Sequence, residues 1–179
     1  MGMKLGRTVV TTEEIAEMVP RIANEIKAEC GADLDNALFV GIMKGAYIWM
    51  SDLLREIGGD VQMDYIHVSS YASDQSTGVV TVVKDIQQEI QGRVVVLLDE
   101  VIDTGLTLQY LKRELLARGA KKVLLAVATD KREEIGADEI KADFVGMQVP
   151  NEFLVGYGMD YNDHYRNLGY VAVLELTED

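Results

Sequence analysis

The sequence has few of the residues that mark several common protein classes. Its 179 residues include one cysteine, Cys30, so an intrachain disulfide is excluded and a reducing compartment is favoured. It has two prolines, no internal repeats and no low-complexity tract, which excludes a repeat architecture or a proline-rich linker. No apolar run approaches the length of a membrane-spanning helix. These absences leave a globular chain of single-domain length.

Positive charge is also scarce. Lysine and arginine together number 17 against 30 aspartates and glutamates, which gives a net charge of −13, and no basic patch offsets it. Such a chain repels nucleic acid and anionic membranes, so we expect neither as a partner. The N-terminal residues lack the apolar stretch of a signal peptide. We therefore expect a cytoplasmic protein.

Hydrophobic spacing predicts strands that alternate with helices. Continuous apolar runs are typical of strands buried on both faces. The strand candidates are 37–42, 93–100, 122–130, 143–149 and 170–176. Helices are predicted after Thr11, over 46–58 and after Gly105. This alternation predicts βαβ units, and hence an α/β fold with a mainly parallel sheet of about four or five strands.

Local signals refine three of these elements. Thr11 and Glu14 form a capping box for the first helix, in which Pro20 predicts a kink or a break. Residues 61–84 are predicted to form a hairpin-like excursion, with the polar segment 72–78 as an exposed loop. The third helix is predicted to end at Gly119. Its expected core face is Leu108, Leu111, Leu115 and Leu116.

The segment "VVVLLDEVIDTGLTL" (94–108) combines an anion cradle with three carboxylates. A buried strand that leads through a Thr-Gly turn into a helix is a general anion site, because helix N-terminal N–H groups point outward. The alternative is that Asp103 and Thr104 merely cap the helix. Two adjacent acids at the end of a buried strand, Asp99 and Glu100, repel each other unless a hydroxyl or a cation meets them. A sugar phosphate with a metal ion satisfies both features.

This segment is similar to the signature of phosphoribosyltransferases that use phosphoribosyl pyrophosphate (PRPP), and the whole chain resembles their hypoxanthine–guanine branch. Further matching segments are "GIMKGAY" (41–47), "SSYASDQSTG" (69–78), "DKR" (130–132), "DFVG" (143–146) and "EFLVGYGMDYNDHYRNL" (152–168). They follow the family's order over residues 37–168. The resemblance implies one type I phosphoribosyltransferase domain over 1–179. Its core would span about 35–150, and a small hood over the base would combine the N-terminal segment with about 150–179.

The resemblance also implies a role for each residue of the signature. Asp103 would be the general acid/base at purine N7. The residues that would hold the 5′-phosphate are Asp103, Thr104, Gly105, Leu106 and Thr107. Asp99 and Glu100 would accept hydrogen bonds from the ribose hydroxyls and face Mg²⁺. The family usually has Glu-Asp at these two positions, so the reach of each side chain changes here by one methylene.

The pyrophosphate would be bound by Lys44, Gly45 and Arg166. The family often has a cis peptide bond before this lysine, which here joins Met43 and Lys44. Ser70 and Tyr71 match the start of a flexible lid, and the loop 72–78 would close over the sugar and exclude water.

The purine would be bound by four residues, Lys131, Phe153, Leu154 and Asp160. Lys131 would donate to the 6-oxo group, Phe153 would stack on the base, and Leu154 would offer its backbone carbonyl. Asp160 would also face Mg²⁺, as would Asp99 and Glu100. Without the resemblance, a solvated surface position is the usual interpretation of a lysine, and only the place of Lys131 at a strand end argues against it. Phe153 is equally consistent with a core position.

The implied reaction transfers the phosphoribosyl group of PRPP to N9 of hypoxanthine or guanine. Its products would be IMP or GMP and pyrophosphate, with Mg²⁺ as cofactor and a homodimer or homotetramer as the assembly. An alternative is a PRPP-fold regulator that binds RNA, which the net charge disfavours. A further alternative is a xanthine-preferring enzyme. Adenine is disfavoured because its 6-amino group would face the donor Lys131.

Overall fold

The computed structural model describes residues 2–70, 80–136 and 139–177. Tyr71 and the predicted loop 72–78 lie outside these residues. From residue 2 to residue 130, strands alternate with helices as predicted, apart from the paired strands within 61–84, and the described residues after 130 add strands. In chain order they are β1 (Gly2–Val10), α1 (Thr12–Cys30), β2 (Leu38–Met43), α2 (Tyr47–Ile57), β3 (Gln62–Ser70), β4 (Val80–Lys84), β5 (Val94–Ile102), α3 (Leu106–Ala117), β6 (Lys122–Asp130), β7 (Phe144–Gln148), β8 (Leu154–Val155) and β9 (Val171–Thr177). No helix among them is long and apolar enough to cross a membrane.

The larger sheet has the strand order β4-β3-β2-β5-β6-β7. All its neighbouring strands are parallel except β3 and β4, which are antiparallel and form the predicted excursion. The prediction of an α/β fold with a mainly parallel sheet is therefore confirmed. The sheet has six strands rather than four or five, because β4 returns along β3 and extends the sheet at its edge.

Strand β5 lies at the centre of the fold, and Val94–Leu98 are all buried. Val94, Val96 and Leu98 pack on the face covered by α1 and α2, whereas Val95 and Leu97 pack on the face covered by α3. Successive side chains of a strand point to opposite faces, so an uninterrupted apolar run is required where both faces are covered.

Helix α1 begins with the predicted capping box. Glu14 N–H donates to Thr11 Oγ1, and Thr11 N–H donates to the Glu14 carboxylate. The helix runs through Pro20 without a break, so the break interpretation is wrong. Proline removes one backbone hydrogen bond, but the buried face of the helix offsets that loss through tertiary packing. That face consists of Ile15, Met18, Val19, Ile22, Ala23 and Ile26.

Helix α3 buries Leu108, Leu111 and Leu115, whereas Leu116 is exposed, so the prediction that Leu116 faces the core is wrong. At 3.6 residues per turn, Leu116 stands about 100° around the helix from Leu115 and leaves the buried stripe. Gly119 ends the helix as predicted. The Gly119 N–H donates to the carbonyl of Leu116, and the Ala120 N–H donates to the carbonyl of Leu115. This pair of hydrogen bonds is the Schellman arrangement.

A second, smaller sheet joins the two ends of the chain in the order β1-β9-β8. Both pairs of strands are antiparallel, and Gly2 lies opposite Thr177. Strand β9 agrees with the prediction over 170–176. Strands β1 and β8 were not predicted, because β1 is largely exposed and β8 has only two residues.

Candidate active site

Three predicted segments meet at the carboxyl edge of the larger sheet. Lys44 and Gly45 follow β2, Asp99–Asp103 lie at the end of β5, and Lys131 follows β6. Because β2, β5 and β6 are parallel, their carboxyl ends share one edge, and ligands bind at this edge of open parallel sheets.

The turn after β5 leads directly into α3. Gly105 is the N-cap of the helix, with a φ of +77°, and the Asp103 carboxylate accepts no hydrogen bond from the helix, whereas Thr104 Oγ1 accepts from the Leu106 N–H at 3.4 Å. The interpretation that Asp103 caps the helix is therefore wrong. Any side chain at residue 105 would be strained by this φ, and an added Cβ would lie 2.7 Å from Ile140 Cγ2. The exposed Thr104 and half-buried Thr107 flank the first N–H groups of the helix, which have no partners within the helix.

Asp103 and Lys131 lie side by side across this edge. Lys131 Nζ is 3.8 Å from Asp103 Oδ2, and the side chains are 17% and 67% exposed respectively. Lys131 is thus largely enclosed, which excludes the solvated-surface interpretation. Its backbone N–H donates to the carbonyl of Ile102 at 3.1 Å, so the residue is tied to the end of β5. The site therefore offers a cationic donor, the Lys131 ammonium, next to an exposed carboxylate, that of Asp103.

In sequence, Lys131 lies between the two members of a buried ion pair, Asp130 and Arg132. Asp130 is fully buried, and it accepts from Arg132 Nε at 3.0 Å and from Nη2 at 2.8 Å. Arg132 Nη1 also donates to the carbonyl of Ile140 at 2.7 Å. Burial acts to raise the pKa of Asp130, but the hydrogen bonds and charge of Arg132 outweigh it and lower that pKa below its ordinary value. Sequence reasoning missed this pair. An acid that ends a largely apolar strand, two residues before an arginine, was the available signal.

The acidic pair Asp99 and Glu100 is half-buried at the end of β5. Burial, and then the charge of Glu100, raise the pKa of Asp99 well above its ordinary value. Among the described residues, no lysine or arginine forms a salt bridge with either carboxylate. The Glu100 carboxylate lies against Gly45, where an added Cβ would overlap it. The pair is thus available to a hydroxyl-bearing or cationic ligand.

Lys44 and Arg166 are joined by one carboxylate. The peptide bond between Met43 and Lys44 is cis, as the resemblance implied. Lys44 Nζ lies 2.8 Å from Asp163 Oδ1, and Arg166 Nη2 lies 3.3 Å from the same oxygen. Arg166 also pairs with Asp160 at 2.7 Å. The two cations lower the pKa of Asp163. The sequence analysis gave Asp163 no role, although its spacing of three residues from both Asp160 and Arg166 was a usable signal.

The segment 153–168 carries the remaining predicted residues. Phe153 is 54% exposed and meets Tyr161 edge to face, with ring centroids 5.8 Å apart, so the core interpretation is wrong. Leu154 is buried in β8. Gly158 has a φ of +105°, and an added Cβ there would overlap the carbonyl oxygen of Gly45. The segment therefore packs backbone to backbone against the loop that carries Lys44.

The predicted metal ligands do not form one cluster. No group of three or more His, Cys, Asp or Glu side chains in the described part of the chain could hold a metal ion. Asp160 faces Arg166, whereas Asp99 and Glu100 stand together at the end of β5. Ser70 is the last residue of β3, and Tyr71 lies outside the described ranges.

Comparisons with known proteins identify the family. The chain matches the family model for the phosphoribosyl transferase domain over residues 8–162. It is 39% identical over 176 residues to a hypoxanthine-guanine phosphoribosyltransferase of Bacillus subtilis, covering 98% of this chain and 96% of that protein. The corresponding enzyme of Streptococcus pneumoniae is 37% identical over 170 residues, covering 94% and 93%.

Solved structures are similar over the whole fold. A hypoxanthine-guanine phosphoribosyltransferase of Bacillus anthracis, crystallised with HEPES in its active site, has a TM-score of 0.88 and 32% identity, covering 98% of this chain and 100% of that one. A hypoxanthine phosphoribosyltransferase of Staphylococcus aureus has a TM-score of 0.85 and 33% identity, covering 96% and 93%. The chain therefore belongs to the phosphoribosyltransferase family, in its hypoxanthine–guanine branch, and is an enzyme.

Proposed function

We propose that the chain transfers the 5-phosphoribosyl group of PRPP to N9 of hypoxanthine or guanine, giving IMP or GMP and pyrophosphate. The observation that carries the proposal is the pairing of Lys131 Nζ with Asp103 Oδ2 at 3.8 Å. A 6-oxopurine presents O6 and N7 side by side on one edge. A lysine that donates to O6 and a carboxylate that exchanges the N7 proton match that edge.

The remaining parts of PRPP find complementary groups nearby. The 5′-phosphate would bind Thr104, Gly105, Leu106 and Thr107 with Asp103 alongside, where helix N–H groups and hydroxyls face outward. The ribose hydroxyls would donate to Asp99 and Glu100. The pyrophosphate would bind Lys44, Gly45 and Arg166, and Phe153 would stack on the base above the backbone carbonyl of Leu154. In this arrangement a core at about 35–150 carries most of these groups, and a hood, formed by the N-terminal segment and about 150–179, covers the base and adds Arg166.

The chemistry follows from these placements. As the bond from C1′ to the pyrophosphate oxygen breaks, the sugar acquires positive charge, which Asp99 and Glu100 favour electrostatically. Purine N9 then forms the new bond to C1′. The N7 proton becomes acidic as this bond forms, and Asp103 accepts it. Lys44 and Arg166 hold the pyrophosphate as it departs with the bonding electron pair.

We also propose Mg²⁺ as the cofactor, and the donor set fits it. Mg²⁺ is commonly held by one or two carboxylates together with substrate phosphates rather than by an all-protein cage. Asp99 and Glu100 would face the ion on the ribose side and Asp160 on the pyrophosphate side. When bound, Mg²⁺ would neutralise the phosphate charge that these acids otherwise repel.

A homodimer or homotetramer is proposed as the assembly. Tyr47, Met63 and Tyr65 are large, apolar and exposed, and with Met43 and Met50 they line one cavity beside the Lys44 loop. Exposed apolar patches of this kind mark interaction surfaces. Met63→Glu should shift the mass measured by sedimentation towards the monomer, whereas Leu116→Glu on the outer side of α3 should not. An unchanged mass for Met63→Glu would refute this surface.

The test of function is nucleotide formation from PRPP and Mg²⁺ with hypoxanthine, guanine, xanthine and adenine in turn. Activity is expected with hypoxanthine or guanine and should be lost in excess chelator. Adenine should be inactive, because its 6-amino group would meet the Lys131 ammonium. Activity only with xanthine would favour the xanthine-preferring alternative. RNA binding without catalysis would favour the regulator. Full activity in chelator would refute the role of Mg²⁺.

A further inference from the structure

One carboxylate lies between the two cations of the proposed pyrophosphate site. Asp163 Oδ1 accepts from Lys44 Nζ at 2.8 Å and lies 3.3 Å from Arg166 Nη2. Lys44 comes from the loop after β2, 119 residues away along the chain, whereas Arg166 belongs to the same segment as Asp163. The carboxylate therefore makes, to both cations, the type of contact that a pyrophosphate oxygen would make.

Arg166 is held in place without Asp163. Its Nη1 donates to the carbonyl of Gly158 at 2.7 Å, and its Nη2 pairs with Asp160 at 2.7 Å. Gly158 N–H in turn donates to the carbonyl of Arg166 at 3.0 Å. These contacts fix the guanidinium, so the contact with the Asp163 carboxylate is not required to orient it.

Stability does not explain the position of Asp163 either. Its side chain is 63% exposed, and exposed ion pairs contribute about 0–1 kcal/mol. The backbone there is costly, since Asn162, Asp163 and Tyr165 all have positive φ values of 50°, 63° and 76°. Within the described residues, only Oδ1 of the carboxylate has hydrogen-bond partners, so few contacts keep the side chain in place.

We propose that Asp163 is a resident counter-anion, which neutralises Lys44 and Arg166 in the ligand-free enzyme and must give up these contacts when PRPP or pyrophosphate binds. The inference rests on the proposed function and deepens it. A carboxylate and a phosphate cannot share the same two cations at 3 Å without strong repulsion. Exchange between them weakens the binding of pyrophosphate and so favours its release, a step that often limits turnover.

The test compares Asp163→Asn with Asp163→Glu and with a matched control. Asp85→Asn is the control, since Asp85 is an exposed carboxylate paired with Arg118 beyond the opposite edge of the sheet. Binding of Mg²⁺-pyrophosphate and Mg²⁺-PRPP to the full chain is measured by calorimetry at low and high salt. The KM for hypoxanthine is measured alongside.

Asp163→Asn is expected to tighten the binding of both ligands by about threefold to tenfold. The gain should shrink at high salt, because exposed charges are screened. Asp163→Glu and Asp85→Asn should bind as the parent does, and the KM for hypoxanthine should stay unchanged. Equal or weaker binding by Asp163→Asn would overturn the inference alone, since a carboxylate that merely orients Lys44 predicts weaker binding. Failure of the parent chain to bind pyrophosphate would overturn the proposed function as well.

Discussion

The proposed active site has two halves that are held by different means. At the ends of β5 and β6, Asp103 and Lys131 are placed by parallel strands and by the enclosed pair of Asp130 and Arg132. In the segment 153–168, Asp160, Asp163 and Arg166 are placed by more exposed ion pairs and by backbone with positive φ. The first of these, the strand-end half, is suited to recognising the fixed shape of a base. The other half is suited to exchanging one anion for another.

Asp103→Asn tests the chemistry of the strand-end half and has the largest expected effect. The amide keeps the shape but cannot exchange the N7 proton, so kcat should fall by about 10²–10⁴-fold. PRPP affinity and the melting temperature should change little, because Asp103 is exposed and does not cap α3. Steady-state kinetics and direct PRPP binding measure the two effects. A near-normal kcat would remove Asp103 from the chemistry.

Asp130→Asn tests the buried support of that half. Removal of one partner of a buried ion pair costs about 3–5 kcal/mol in the free energy of unfolding. Asp85→Asn, which breaks the exposed pair with Arg118, should cost less than about 1 kcal/mol. Denaturant unfolding measures both variants. Equal losses would mean that burial of Asp130 does not distinguish the two pairs.

Acid unfolding provides a second measure of the same pair. Because the folded-state pKa of Asp130 is lowered, its stabilising contribution is complete above the unfolded pKa of about 3.9. That contribution is lost as the pH falls through the folded-state pKa. Asp130→Asn should therefore flatten the loss of stability below about pH 4. An unaltered acid profile would argue against the pair as its source.

Gly158→Ala tests the contact that joins the two halves. The added methyl group would overlap the carbonyl oxygen of Gly45 and adopt a φ disfavoured for L-residues, at a cost of about 2–4 kcal/mol. Gly92→Ala is the control, because Gly92 has a φ of +72° but nothing within 4 Å of an added Cβ, so it should cost about 1–2 kcal/mol. Only Gly158→Ala should also weaken PRPP binding. Similar effects for both would show that the approach of Gly158 to Gly45 is unimportant.

Phe153→Ala has the smallest expected effect and separates affinity from stability. An exposed ring adds little to the core, so the free energy of unfolding should change by less than about 0.5 kcal/mol. Loss of stacking should raise the KM for hypoxanthine by about threefold to tenfold. Leu116→Ala, another exposed apolar residue, should leave KM unchanged. A large loss of stability in Phe153→Ala would instead return this residue to a structural role.

The spacing of apolar residues predicted most of the larger sheet, because the buried face of a strand or helix is determined by residues that lie within a few positions of each other. The apolar run at 94–98, the capping box of Thr11 and Glu14, and the glycine after α3 each encode an element within a few residues. The error at Leu116 has the same origin. Spacing identifies a stripe, but only the neighbouring elements decide how wide that stripe is.

The sequence by itself determined the alternation of strands and helices and which charged residues follow β2, β5 and β6. Parallel strands bring their carboxyl ends to one edge, so this order along the chain was enough to group Lys44, Asp103 and Lys131. The tertiary structure alone decided the pairing of β1 with β9, the burial of Asp130 against Arg132, and the position of Asp163 between Lys44 and Arg166. Spacing along the chain marked Asp130 and Asp163 as candidates, but their contacts depend on which segments approach each other and on how much water they exclude, and the local order of residues does not determine either.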